Sequence, residues 1–286
     1  MKILITGSGG FIGSNLMKAL KKEGKHEILG VDKKFGTDIS NFTSMAQQVL
    51  RFLKKPDLIV HLAAQTSTKK SVEFPAKDFQ DNVMGTFNIC ELAKITGASV
   101  IYASSRKVLH APYGVSKYVG ELYLQEYEKT FGIKTLITRF GNVYGPGQQG
   151  SQEGFWLAWF IKASIEKQPI TIYGWDGKQS RDMLFVNDCV NLLMDQINHF
   201  QKYRAVAKGE VLTCGGGPEN EINLLDALKF INYENFKISP DKLAGDVMRE
   251  VTDNTHITAI NNWRPVVPIE EGIRLTLESC RKEAHK

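Results

Sequence analysis

Tyr113 and Lys117 stand four residues apart in Tyr113-Gly114-Val115-Ser116-Lys117, whose pattern predicts the start of a helix, so both side chains share one of its faces. A phenol with an ordinary pKa of about 10 is a weak base at neutral pH, but an ammonium group beside it favours phenolate. Tyr113 could then remove the proton of an alcohol while hydride leaves the same carbon. Ser105 follows a predicted strand at residues 99–103, where its hydroxyl could hold that alcohol in place. The link between Ser105 and Tyr113, residues 106–112, is short, yet at roughly 3.4 Å per extended residue it can span some 20 Å, so the three groups can meet.

This chemistry needs a hydride acceptor, and the first 32 residues predict an element to hold one. Residues 2–6 are an apolar run that reads as a buried strand and leads into Gly7-Ser8-Gly9-Gly10-Phe11-Ile12-Gly13. Glycine permits positive φ and lets a phosphate reach the backbone N–H groups, while a helix starting near Phe11 directs its positive end at that phosphate. Leu16, Ala19 and Leu20 continue the helix, Gly24 ends it, and residues 27–31 form a second strand closing on Asp32. An acid about twenty residues after the turn can accept the hydroxyls of an adenosine ribose, which completes the dinucleotide fingerprint and favours NAD over NADP. Lys33 and Lys34 follow that acid directly.

Composition sets wider limits. The 286 residues, 42% hydrophobic and 23% charged, are enough for one large core with an appended lobe. No apolar run is long enough for a membrane span, and the N-terminus begins on a strand with no visible signal peptide. Cys90, Cys189, Cys214 and Cys280 lack metal-ligand spacing and read as free thiols of a reducing cytoplasm; no metal site is expected. The net charge of +5 is mild, and no basic and aromatic interleaving points to nucleic acid.

Taken together, the glycine spacing GxxGxxG, the strand end His61-Leu62-Ala63-Ala64-Gln65-Thr66, the Tyr113–Lys117 pair and Arg139-Phe140-Gly141-Asn142-Val143-Tyr144-Gly145-Pro146 resemble the extended short-chain dehydrogenase/reductases, the NAD-dependent epimerase/dehydratase family. Within it, Ser104-Ser105-Arg106-Lys107-Val108, residues 154–161, Gly215-Gly216-Gly217-Pro218-Glu219-Asn220 and the stretch from Gly245 to Asp253 resemble the CDP-paratose 2-epimerase family. The resemblance implies an α/β fold: a doubly wound, mostly parallel Rossmann sheet (residues 1–143 and 176–213) with a smaller C-terminal substrate-binding lobe (144–175 and 214–286). It implies NAD bound by Gly7, Gly10, Phe11, Ile12, Gly13, Asp32, Lys33, Asp38, Ile39, Leu62, Ala63, Ala64, Asn82, Tyr113 and Lys117. A nucleotide-diphosphate sugar would meet Gln65, Thr66, Asn142, Arg181 and Arg249, and Ser105, Tyr113 and Lys117 would be catalytic. His61 is expected to be a packed strand residue.

The implied reaction is epimerisation by transient oxidation of a ring carbon. A 4,6-dehydratase, a decarboxylase and a 4-keto reductase share its opening step, but a dehydratase would carry Asp-Glu where Arg106-Lys107 stands. A homodimer through the helices after Asn82 and Tyr113, with Tyr118, Leu122 and Tyr123 as apolar candidates, is also implied. Two regions are shorter than the resemblance leads one to expect: the stretch after Asp32, where an outer strand should be missing, and residues 106–112.

Overall fold

The computed structural model describes residues 1–151, 154–242 and 246–284. The chain forms two compact units, residues 1–140 with 190–212 and residues 141–189 with 213–286.

The first unit starts with strand β1 (Lys2–Thr6), whose Ile3, Leu4 and Ile5 are fully buried, as a strand covered on both faces requires. Helix α1 (Phe11–Glu23) buries Leu16 and Leu20 and stops at Gly24, which takes φ +70° and returns its N–H to the Leu20 carbonyl. Strand β2 (Glu27–Val31) follows, then a tight turn at Lys33–Phe35 and helix α2 (Phe42–Leu53), capped by the Asn41 side chain and buried along Met45, Val49 and Leu53. Strand β3 (Leu58–His61) is buried throughout. Two short helices, α3 (Thr68–Glu73) and α4 (Pro75–Asp78), run through one wide π-helical turn (Phe79–Met84) into α5 (Gly85–Thr96). Strand β4 (Ser99–Ser105), helix α6 (Ala111–Phe131) and strand β5 (Thr135–Phe140) complete the run.

Consecutive neighbours in the order β2-β1-β3-β4-β5 pair in parallel, and β2 is the edge. Among the described residues no strand pairs on the outer side of β2, where the short stretch after Asp32 leads one to expect none. Leu4, Val31, Ile59, Val100 and Ile137 from the sheet pack against Met45, Val49, Ile89 and Leu124 from the helices.

In the second unit β6 (Asn142–Tyr144), α7 (Trp156–Glu166), β7 (Ile170–Tyr173) and β8 (Ser180–Phe185) come first, and α8 (Val186–Asn198) carries the chain back to the first unit. After α9 (Phe200–Ala207) and β9 (Leu212–Cys214), the last strand of the large sheet, come β10 (Glu221–Asn223), α10 (Leu224–Ile231), β11 (Phe236–Ser239), β12 (Arg249–Glu250), α11 (Thr255–Asn261) and α12 (Ile269–Ala284). Strand β8 takes β10 antiparallel and β12 and β6 in parallel, while β7 pairs with β11. The sequence reading assigns residues 176–189 to the dinucleotide-binding part, but β8 lies in the second unit. The reason is packing: Met183 and Phe185 belong to one buried cluster with Tyr144, Leu157, Ile222 and Ile273.

Candidate active site

The glycine turn is dictated by close backbone approach. Gly7 has φ +72°, and a Cβ there would sit 2.7 Å from the Ala63 nitrogen; a Cβ on Gly13 would sit 2.1 Å from the Gly7 carbonyl oxygen. Gly10 donates to that same carbonyl at 3.0 Å and opens α1, whose start has no capping side chain and no acid in its first turn. This leaves the first helical N–H groups, those of Phe11, Ile12 and Gly13, as an anion site. Asp32, at the end of β2, accepts from the Gly9 N–H at 3.0 Å and the Lys34 N–H at 2.9 Å. The glycine cradle, the uncapped helix and the backbone-held acid fit a dinucleotide.

The flanking residues divide. Lys33 lies 2.5 Å from Asp81 and 3.2 Å from Asp38, and Lys34 donates to the Gly9 carbonyl, so neither is a spare cation for a 2′-phosphate. Asp38 also accepts from the Ser40 N–H and hydroxyl. Ile39 is a core residue, 5% exposed and packed against Gly85.

At the end of β3, His61 bonds Thr6 through Nδ1 at 2.7 Å and Thr86 through Nε2 at 3.0 Å, stacks on Tyr102, and is held well below the usual imidazole range by burial, as a packed neutral strand residue is. Leu62, Ala63 and Ala64 follow, half-buried, with Ala63 against Gly7. Gln65 and Asn82 are locked together: the Gln65 N–H donates to Asn82 Oδ1 at 2.8 Å and Asn82 Nδ2 donates to the Gln65 carbonyl at 3.0 Å. The π-helical turn carries Asn82, and such turns recur at functional sites. Thr66 is exposed beside them.

Ser105 is the last residue of β4, and its hydroxyl meets both the Lys107 N–H, at 3.1 Å, and the Tyr113 phenol. The short link closes by taking two ordinary residues into the left-handed region, Leu109 at φ +64° and Ala111 at φ +55°. It packs so tightly on α6 that a Cβ on Gly114 would lie 1.8 Å from the Lys107 carbonyl oxygen. Tyr113 and Lys117 are both buried one turn apart, with Lys117 Nζ 4.2 Å above the Tyr102 ring.

Burial dominates the electrostatics of the pair. It pushes the Tyr113 phenol up, against the Ser105 hydrogen bond, and it pulls the Lys117 ammonium down to about 7, against the carboxylates of Glu121 and Asp78. Sequence reasoning credits Lys117 with favouring phenolate; in the folded chain Ser105 is the group that does so. Two buried carboxylates that sequence reasoning overlooks flank the pair. Glu121, four residues after Lys117, accepts from Arg139 through both oxygens and from Ser104. Asp78, four residues before Asn82, accepts from Gln65 and Asn82.

The remaining sequence-predicted residues lie in the second unit. Asn142 stands at the start of β6 with its Nδ2 buried and unpartnered. Arg181, in β8, is buried and bonds Asp246, the Val247 carbonyl and the Ser180 carbonyl, with Glu250 3.7 Å away, so its fork is not open for a diphosphate. Arg249 is exposed and pairs with both oxygens of Glu221. Gly245 lies outside the described residues. Among the described residues no cluster is arranged for a metal ion and no helix is long and apolar enough to cross a membrane.

Known proteins resemble this chain over nearly its whole length. The NAD dependent epimerase/dehydratase family profile matches residues 3–215. A putative UDP-glucose 4-epimerase of Methanocaldococcus jannaschii is 30% identical, over 95% of this chain and 96% of its own length. The CDP-paratose 2-epimerase of Salmonella typhi is 28% identical, over 96% and 97%. Among solved structures, the UDP-glucose 4-epimerase of Thermus thermophilus in complex with NAD superposes with a TM-score of 0.84 at 26% identity, covering 98% of this chain and 99% of that one.

Proposed function

The chain belongs to the NAD-dependent epimerase/dehydratase family, and on that premise we propose that it is a nucleotide-sugar epimerase that oxidises one ring carbon and re-reduces it from the other face. The observation that carries this reading is the Ser105–Tyr113–Lys117 constellation, with Tyr113 and Lys117 buried and Ser105 half-buried at the strand end, closed across a link of only seven residues.

NAD, when bound, takes up the hydride and later returns it. The glycine turn and the first N–H groups of α1 would hold its pyrophosphate, Asp32 its adenosine ribose, and Lys117 its nicotinamide ribose. Ser105 orients the sugar hydroxyl, and Tyr113 accepts its proton as the carbon becomes a ketone. Tyr113 then gives the proton back when the C–H bond re-forms on the opposite face, so no proton or electron is gained or lost overall. Asn142 and Arg249 are proposed sugar-nucleotide contacts, Asn142 because its buried amide has an unused donor. A homodimer is proposed through α5 and α6, which expose Ile95, Leu122, Tyr123 and Phe131. All four cysteines are free, which suits a cytoplasmic setting.

The test is NMR of the purified protein with NAD and a panel of UDP-, CDP-, GDP- and dTDP-sugars. A new sugar epimer without net NADH is expected, reduced by about 100-fold or more in Tyr113→Phe. A keto-sugar, released CO2 or stoichiometric NADH would overturn epimerisation in favour of a dehydratase, decarboxylase or reductase.

A further inference from the structure

Asp78 is a carboxylate the reaction above leaves without a task, yet it is 1% exposed at the end of α4. A buried carboxylate persists only when its environment meets its hydrogen-bonding capacity. One oxygen, Oδ1, accepts from Gln65 Nε2 at 2.9 Å and from Asn82 Nδ2 at 3.0 Å, and Asn82 also donates to the Ser116 hydroxyl at 3.0 Å. Ser116 in turn donates to the Tyr113 carbonyl at 2.8 Å. The carboxylate therefore ties the strand end at Gln65, the π-helical turn and the first turn of α6 into one network.

We infer that Asp78 is a positioning residue of the reaction: its carboxylate fixes Asn82 and Gln65 and, through Asn82 and Ser116, the turn of α6 that carries Tyr113, and its charge adds to the field at that phenol. The inference rests on the proposed epimerase reading. The electrostatics has the same direction at both members of the pair: after burial and the Ser105 hydrogen bond, Asp78 opposes phenolate at Tyr113, and after burial and Glu121 it supports ammonium at Lys117. The other charged and titratable groups around them are Glu121 on α6, His61 on β3, Tyr102 on β4 and Asp81 on the π-helical turn, the last already occupied by Lys33 and Lys77. Glu121 is committed to Arg139 and Ser104 and touches neither Gln65 nor Asn82. Asp78 alone among these joins the charge to the network.

Asp78→Asn separates the two effects, because an amide oxygen in place of Oδ1 still accepts from Gln65 and Asn82 while the charge is gone. The acid limb of the kcat–pH profile is expected to move to lower pH by on the order of half a unit, with NAD affinity by calorimetry unchanged. Asp78→Ser, the second neutral variant, is expected to shift the limb the same way and also raise KM. Asp78→Glu keeps the charge and leaves the limb in place. Melting curves report that each variant is folded. Tyrosinate absorption, taken as the difference between each protein and its Tyr113→Phe counterpart, follows the same displacement without substrate, so a chain that epimerises nothing still tests Asp78. Neutral variants that titrate as the parent does would overturn the inference; failure of the parent to make an epimer would instead sink the epimerase reading.

Discussion

Each unit contains a glycine turn packed too closely for a side chain, and the two turns do different things. In the first, Gly7 to Gly13 lead into the thirteen-residue helix α1, which presents uncapped N–H groups and the positive end of its dipole. In the second, Gly215 donates to Asn254 and accepts from it, Gly217 donates to Asp182, and Asn220 donates to the Gly216 carbonyl. That turn continues into three residues beginning with Pro218, which has no N–H. Close packing makes glycine necessary in both places; the helix behind the first turn offers its first N–H groups to a ligand, whereas the second turn spends its own on Asn254 and Asp182.

The arginines extend this contrast and give the largest effect. Arg181→Met leaves Asp246 and Glu250 facing a lost cation, so stability should fall by about 3 kcal/mol in a urea titration while KM for the sugar nucleotide changes little. A large KM increase with unchanged stability would instead return Arg181 to the substrate.

The glycines themselves come next. Gly13→Ala and Gly216→Ala each drive a Cβ into a carbonyl oxygen, at 2.1 Å and 2.3 Å, and each should lose about 1–3 kcal/mol. Only Gly13→Ala should also weaken NAD binding, measured by calorimetry; equal loss of affinity in both would dissolve the contrast. The smallest effect is expected at Arg249, exposed and paired with Glu221: Arg249→Ala should leave the melting temperature unchanged and raise KM several-fold.

What could be read in the sequence follows the same division. Gly7, Gly10 and Gly13, the acid at the strand end, and the four-residue spacing of Tyr113 and Lys117 are local patterns whose backbone geometry leaves few alternatives. Arg181 was misjudged because its partners, Asp246 and Val247, lie more than sixty residues away and nothing local announces them. Asp78 escaped notice because an acid before a helix normally reads as a solvated cap, and only the π-helical turn brings it under Asn82. β8 was assigned to the wrong unit because an apolar strand does not state which core it joins.

The short link between Ser105 and Tyr113 also bears on how the chain folds. Closing seven residues rather than about twenty lowers the loop-closure entropy by about 1 kcal/mol, and it makes strand, link and helix a contact of low sequence separation that can form early. Holding Leu109 and Ala111 left-handed costs about 1 kcal/mol each, so the shortening confers no net stability. Its effect is geometric: Ser105, Tyr113 and Lys117 are brought together by contacts of low sequence separation.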